Sequence, residues 1–159
     1  ASAVGMVIAN NASLAGAQGG CQAECGSAAA MAAAAITELA GGTPHMVSQA
    51  VAIALKNILG LVCDPVAGLV EIPCIKRNAS GVVGAFVAAE MALAGIDSAI
   101  PADEVIWSMK RIGDVMSPPL KETAEGGLAA TPTGRKLHDQ VFGPGNVSGG
   151  CSGCSGCHS

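Results

Sequence analysis

The stretch from Gly60 to Asn78, GLVCDPVAGLVEIPCIKRN, constrains this chain more than any other. It carries Cys63 and Cys74, eleven residues apart. Pro65, Gly68 and Pro73 keep the residues between them from forming one continuous helix. Strongly apolar, helix-like sequence lies on both sides. A non-helical loop with a thiol at each end, held between buried helices, is suited to holding a metal or a cluster. A third thiol, Cys21, ends the Gly-rich run AQGGC upstream. The expectation is that these three thiols converge.

The flanking sequence predicts an all-α fold, a compact bundle of Ala/Gly-rich helices. Ser2 to Asn11 reads as an apolar helix with Asn10 and Asn11 as its stop. Asn11 to Gly20 reads as a small-residue loop whose amides are suited to a carboxylate or a sulfide, or which is simply a turn. Cys21 to Leu39 predicts a long helix, nearly all alanine over Ala28 to Ala35 and apolar all round. Gly41 and Gly42 end it, Thr43 caps the next, and Pro44 takes its first position. That helix is expected to run to Leu59 and stop at Gly60. Further helices are expected from Lys76 to Gly95, with Gly81 and Gly84 at a close helix contact, and from Pro101 to Val115. Pro118 and Pro119 stop the latter, and a short helix can follow to Phe142. No useful strand alternation is present. The expected organisation is a helical domain over 1–142 and a flexible Gly/Ser/Cys-rich tail over 143–159.

Half of the 159 residues are apolar, yet only three are Phe or Trp, and 13% are charged. The charged share is about half that of an ordinary soluble domain. Such a chain has little polar surface to cover an independent globule, so it is expected to bury much of its exterior against another domain or subunit. The net charge of −4 offers no basic patch and argues against nucleic acid. The longest apolar runs fall well short of the ~18 residues of a membrane span, and no signal peptide is visible. A start at Ala1, directly in helix-like sequence, suggests the C-terminal portion of a longer polypeptide. Seven irregularly spaced cysteines do not read as a secreted disulfide framework. Reduced thiols in a cytoplasmic protein fit better.

Soft thiolates suit iron–sulfur clusters, and electron-transfer clusters usually take four cysteines in tight runs. Three dispersed thiols on a four-iron cluster leave one iron open as a Lewis acid. The plain alternative, buried structural thiols, is common for any one cysteine. It is weaker for Cys63 and Cys74, which frame a Pro/Gly-rich loop.

The run from Leu59 to Asn78 resembles the signature of iron–sulfur L-serine dehydratases. GCQAE (Gly20 to Glu24) and KETAEGGLA (Lys121 to Ala129) resemble other segments of that family, and Lys56-Asn57 is similar to the α subunit of its two-subunit bacterial form. The resemblance spans roughly Ser2 to Gly134. It implies that Cys21, Cys63 and Cys74 are the metal ligands of a [4Fe–4S] cluster, with no pyridoxal phosphate. It implies an ammonia-lyase reaction: β-elimination of water from L-serine, the open iron taking the hydroxyl, with pyruvate and ammonia as products. A β subunit or β domain, the remainder of the α chain, and a hetero- or homo-oligomer are implied as partners.

The base for the α proton is not evident. His45 at a helix start and His138 in a charged segment read as structural or surface residues. Lys121 is the candidate catalytic residue, in a charge-positioning role, because a lysine base must be desolvated to work near neutral pH. Gly19, Gly20, Arg77 and Asn78 are the substrate-binding candidates; the Arg fork suits a carboxylate, although a helix-start surface pair at Arg77 and Asn78 is as plain a reading. Cys25, one turn after Cys21, could share its face but reads as a structural residue. Cys151, Cys154, Cys157 and His158 have metal-ligand spacing. They could bind zinc or iron, reach the open iron, or form an inert tail. The competing function classes are a non-catalytic iron–sulfur electron-transfer module and a purely structural helical module.

Overall fold

A computed structural model describes residues 1–145. The tail thiols Cys151, Cys154 and Cys157, with His158, lie outside the described residues. The fold is all-α, with seven α-helices among the described residues: α1 Ser2–Asn11, α2 Gly16–Gly19, α3 Ser27–Leu39, α4 Pro44–Lys56, α5 Cys74–Leu93, α6 Ala102–Val115 and α7 Pro132–Phe142. A π-helical turn, Gln22–Gly26, leads directly into α3.

Alanine is the reason α3, α4 and α5 can form the centre of the bundle. Ala30, Ala33 and Ala34 of α3 face Ala50 and Ala54 of α4 and Ala85, Ala88 and Ala92 of α5 in one buried cluster. Small side chains let the backbones approach closely, and alanine carries the least helix-forming cost. The bulk that fills the remaining space comes from Ile8, Val51, Ile53 and Leu55, and from Val105, Ile106 and Met109 of α6. Thr43 caps α4 as its sequence predicts, its hydroxyl accepting from the Met46 amide at 3.3 Å.

The structure shifts several expected boundaries. The segment Asn11 to Gly20 is not all loop, because it contains the short α2. Helix α4 ends at Lys56 rather than Leu59, and α5 begins at Cys74 itself. The expected close contact at Gly84 is absent: a Cβ there would meet nothing within 4 Å, while one at Gly81 would make only ordinary contact with Ala29.

Helix α5 has two apolar faces of unequal bulk. Its inward face is alanine, and its large apolar residues point outward: Ile75, Val82, Val83, Phe86, Val87 and Met91 are all exposed. A helix that is apolar all round has two faces able to be buried. Here the three-helix packing takes the alanine face and leaves the bulky one open. No helix among the described residues is long and apolar enough to cross a membrane.

Candidate functional site

Four segments meet at one end of the bundle. Gly20, at φ 77°, turns the chain so that its backbone packs against the Leu61 carbonyl; a Cβ would lie 2.8 Å from that oxygen and 2.7 Å from Met116 Sδ. This turn starts the helix that carries Cys21 and, in the π turn, Cys25. Gln22 is buried beside them and staples the next segment. Its backbone N–H donates to Leu61 O (2.9 Å), and its side-chain oxygen accepts from the Gly60 N–H (2.9 Å). The loop then delivers Cys63, and α5 opens on Cys74. The fourth segment, Lys121 to Ala130, is pinned by a parallel bridge between Cys63 and Lys121: Cys63 N–H donates to Leu120 O and Glu122 N–H to Cys63 O, both at 2.8 Å.

Cys21, Cys25, Cys63 and Cys74 are all free thiols and all buried. Cys21, Cys25 and Cys63 pack into one cluster. The hydrogen bond from Cys63 and the nearby Arg77 guanidinium outweigh burial and hold the Cys21 thiol down at about 6. The same contact with Cys21, together with burial, pushes Cys63 up. Burial and the charge on Cys21 push Cys25 up to about 12, and Cys74 is raised for the same two reasons. The guanidinium beside Cys21 thus favours a thiolate in this group, and burial with like-charge repulsion opposes a second one. Cys25 has a partner of its own, lying 3.3 Å from Asn78 Oδ1, to which it donates.

Gly16 closes one side of the pocket. A Cβ on it would stand 3.2 Å from Cys63 Sγ, 3.2 Å from Glu24 Oε2 and 3.5 Å from Glu122 Oε2. Two carboxylates and the Cys63 sulfur thus converge on a residue without a side chain. Glu122 (φ 66°) and Ala124 (φ 59°) sit in the left-handed region, where a non-glycine residue costs energy; such outliers cluster at functional sites. Among the described residues, no three His, Cys, Asp or Glu side chains are arranged around a single metal ion.

The other sequence candidates divide. Arg77 reaches the thiols: its Nη1 donates to Asp64 Oδ1 (2.7 Å) and Val62 O (2.9 Å) and lies 3.9 Å from Cys21 Sγ. Asn78 is at the pocket through Cys25. Gly19 and Gly20 are buried, and their amides are already donated to Ala15 O and Gly16 O. Lys121 contributes its backbone to the bridge and lines a separate cleft of about 310 Å³ with Ser13, Gln18, Gly19, Lys110 and Asp114. His45 is an exposed partner of Asp97 (2.9 Å), and His138 stacks against Phe142 with ring centroids 5.2 Å apart. A larger cavity of about 570 Å³, mostly apolar, adjoins Cys25 and Arg77 between α3, α4 and α5.

Sequence reasoning missed Asp64, Gln22, Glu24 and Glu122 as parts of this site. Asp64 had a readable signal. It is the one charged residue between Leu61 and Val70, and such a group needs a partner if it is buried.

The family model described as "Serine dehydratase alpha chain" matches residues 1–129. The "Probable L-serine dehydratase, alpha chain" of Bacillus subtilis is 66% identical over 143 residues, 90% of this chain and 48% of that protein. The "L-serine dehydratase, alpha chain" of Peptoniphilus asaccharolyticus is 55% identical over 134 residues, 84% of this chain and 46% of that one. The "L-serine dehydratase" of Streptomyces coelicolor is 52% identical over 130 residues, 81% of this chain and 29% of its own length. The chain thus spans about half the length of these two α chains.

Proposed function

The chain belongs to the serine dehydratase alpha-chain family, and on that premise we propose that it is the thiol-bearing part of an L-serine dehydratase. It would catalyse β-elimination of water from L-serine, with Cys21, Cys63 and Cys74 holding a [4Fe–4S] cluster and no pyridoxal phosphate taking part. The observation that carries this reading is the gathering of Cys21, Cys25 and Cys63 in one buried cluster, with buried Cys74 opening α5, the Arg77 guanidinium 3.9 Å from Cys21 Sγ, and two carboxylates close by. The donor set fits the group. Soft sulfur is what such clusters take. The three sulfurs come from three separate segments, the helix after Gly20, the loop and the start of α5. Gly16, which packs beside Cys63 Sγ, has no side chain to crowd that sulfur.

Bound there, the cluster would supply a Lewis-acidic iron for the departing hydroxyl. The chain's own residues would do the rest. Arg77 is committed to Asp64, Val62 and Cys21, so its place in this chemistry is support of a ligand rather than free capture of the substrate carboxylate. Glu24 and Glu122 present negative charge beside Cys63, which matches the α-ammonium group of an amino acid. The large apolar cavity at Cys25 does not match a zwitterion. The bulky outward face of α5 begins at Ile75, the residue after the buried Cys74. We assign it to contact with the rest of the dehydratase, either the remainder of the α chain or a β subunit or β domain.

The test is anaerobic reconstitution with iron and sulfide, followed by spectroscopy with and without L-serine. A serine-induced change at one iron site is expected. A cluster indifferent to serine would favour the electron-carrier class, and a protein that takes up no iron would favour a structural module. Assembly should also depend on pH. Because Cys63 and Cys74 start protonated and ligand thiols must lose their protons, uptake by cluster-free protein should quicken as pH rises from neutral toward the ordinary thiol range. A flat pH profile would contradict the protonated state.

A further inference from the structure

Asp64 carries a network that neither helix packing nor a set of thiols requires. Its side chain is 3% exposed, and each of its oxygens has a separate partner. Oδ1 accepts from Arg77 Nη1 at 2.7 Å, and Oδ2 accepts from the Leu128 N–H at 2.8 Å. The backbone at Gly127 (φ 57°) runs directly over this carboxylate. One carboxylate therefore joins the residue next to Cys63, the first turn of α5 after Cys74, and the segment that carries Glu122. The guanidinium nitrogen that it holds is the one 3.9 Å from Cys21 Sγ. Arg side chains are long and lose much rotamer freedom when fixed. The Val62 carbonyl alone offers a single acceptor, whereas an ionised partner gives a shorter and stronger bond.

We propose that Asp64 is a positioning residue of the dehydratase centre, holding the Arg77 guanidinium on Cys21 Sγ so that this ligand sulfur carries a fixed donor and a fixed positive charge. The proposal rests on the cluster reading given above. Donors and positive charge at a ligand sulfur stabilise the reduced form of a cluster and raise its potential. The Asp64 carboxylate taken alone acts in the opposite direction, because a nearby negative charge lowers the potential. That difference in sign separates a positioning role from direct electrostatics.

The experiment is a reductive titration of the anaerobic holoenzyme carrying Asp64→Ala, Arg77→Gln or both. A lower potential than wild type is expected in each, with the double variant no lower than Arg77→Gln alone. Asp64→Asn, which keeps the side-chain volume, is read in the same way if Asp64→Ala does not load. In cluster-free protein, amide exchange at Leu128 should be about tenfold faster in Asp64→Ala, the cost of one lost hydrogen bond. A potential that rises in Asp64→Ala, or that stays put in Arg77→Gln, overturns the proposal while leaving the cluster reading intact. A wild-type holoenzyme without a cluster overturns both.

Discussion

On the proposed cluster reading, changing Cys21, Cys63 or Cys74 to serine, one at a time, should strip iron and sulfide from the protein and lower kcat on the order of 10³-fold or more. That magnitude follows from losing a Lewis acid worth several kcal/mol of transition-state charge stabilisation, at about 1.4 kcal/mol per tenfold in rate. Cys25→Ser should behave differently although its thiol lies in the same packed cluster. Its proton has an acceptor in Asn78, and burial and the neighbouring Cys21 charge push its pKa up to about 12. The cost expected for Cys25→Ser is about 1 kcal/mol of stability, with iron content retained and kcat within a few-fold of wild type. Iron and sulfide per chain, measured beside kcat, decide the matter. A Cys25 variant that loses its iron while a Cys74 variant keeps it would reassign the ligand set.

Gly127→Ala should be nearly as damaging without touching a thiol. The residue sits at φ 57°, and a Cβ there would lie 2.7 Å from Asp64 Cβ and closer still to its carboxylate. Neither atom has space to move, because Asp64 is held by Arg77 and Leu128. Adding the methyl displaces the carboxylate and leaves the guanidinium without its ionised partner. Breaking a buried pair on one side costs about 3–5 kcal/mol, much of the stability of a domain this size. Gly84→Ala is the control. It is helical and exposed, and a Cβ there meets nothing within 4 Å. It should stabilise the chain by about 1 kcal/mol through helix propensity alone. Urea midpoints for the two variants should move in opposite directions; a neutral Gly127→Ala would show that the Asp64 network does not hold the site together.

The helices and their stops were legible because proline, glycine and capping residues act locally. Thr43 and Pro44 start α4, and Pro118 and Pro119 close off α6 whatever surrounds them. The π turn was not legible. It alters hydrogen-bond register within a run of small residues that also makes an acceptable α-helix, and the packing of Cys25 and Gln22 against Leu61 and Gly60 decides between the two. The thiol loop announced itself through its prolines and cysteines, yet nothing in it revealed that its carboxylate, Asp64, would meet Arg77 and the Leu128 amide.

By itself the sequence determined an all-α chain, the places where its helices break, and a loop unable to be helical with a thiol at either end. Those properties follow from backbone sterics and propensity, which depend on near neighbours. Only the tertiary structure decided which thiols touch, that a guanidinium stands beside Cys21, and which face of α5 is buried. Each of these turns on groups distant in the chain, such as Arg77 against Cys21 and Leu128 against Asp64. For α5, alanines on one side and Val, Phe and Met on the other are both apolar, so periodicity cannot rank them. The close approach of α3 and α4, possible only against alanine, made the choice.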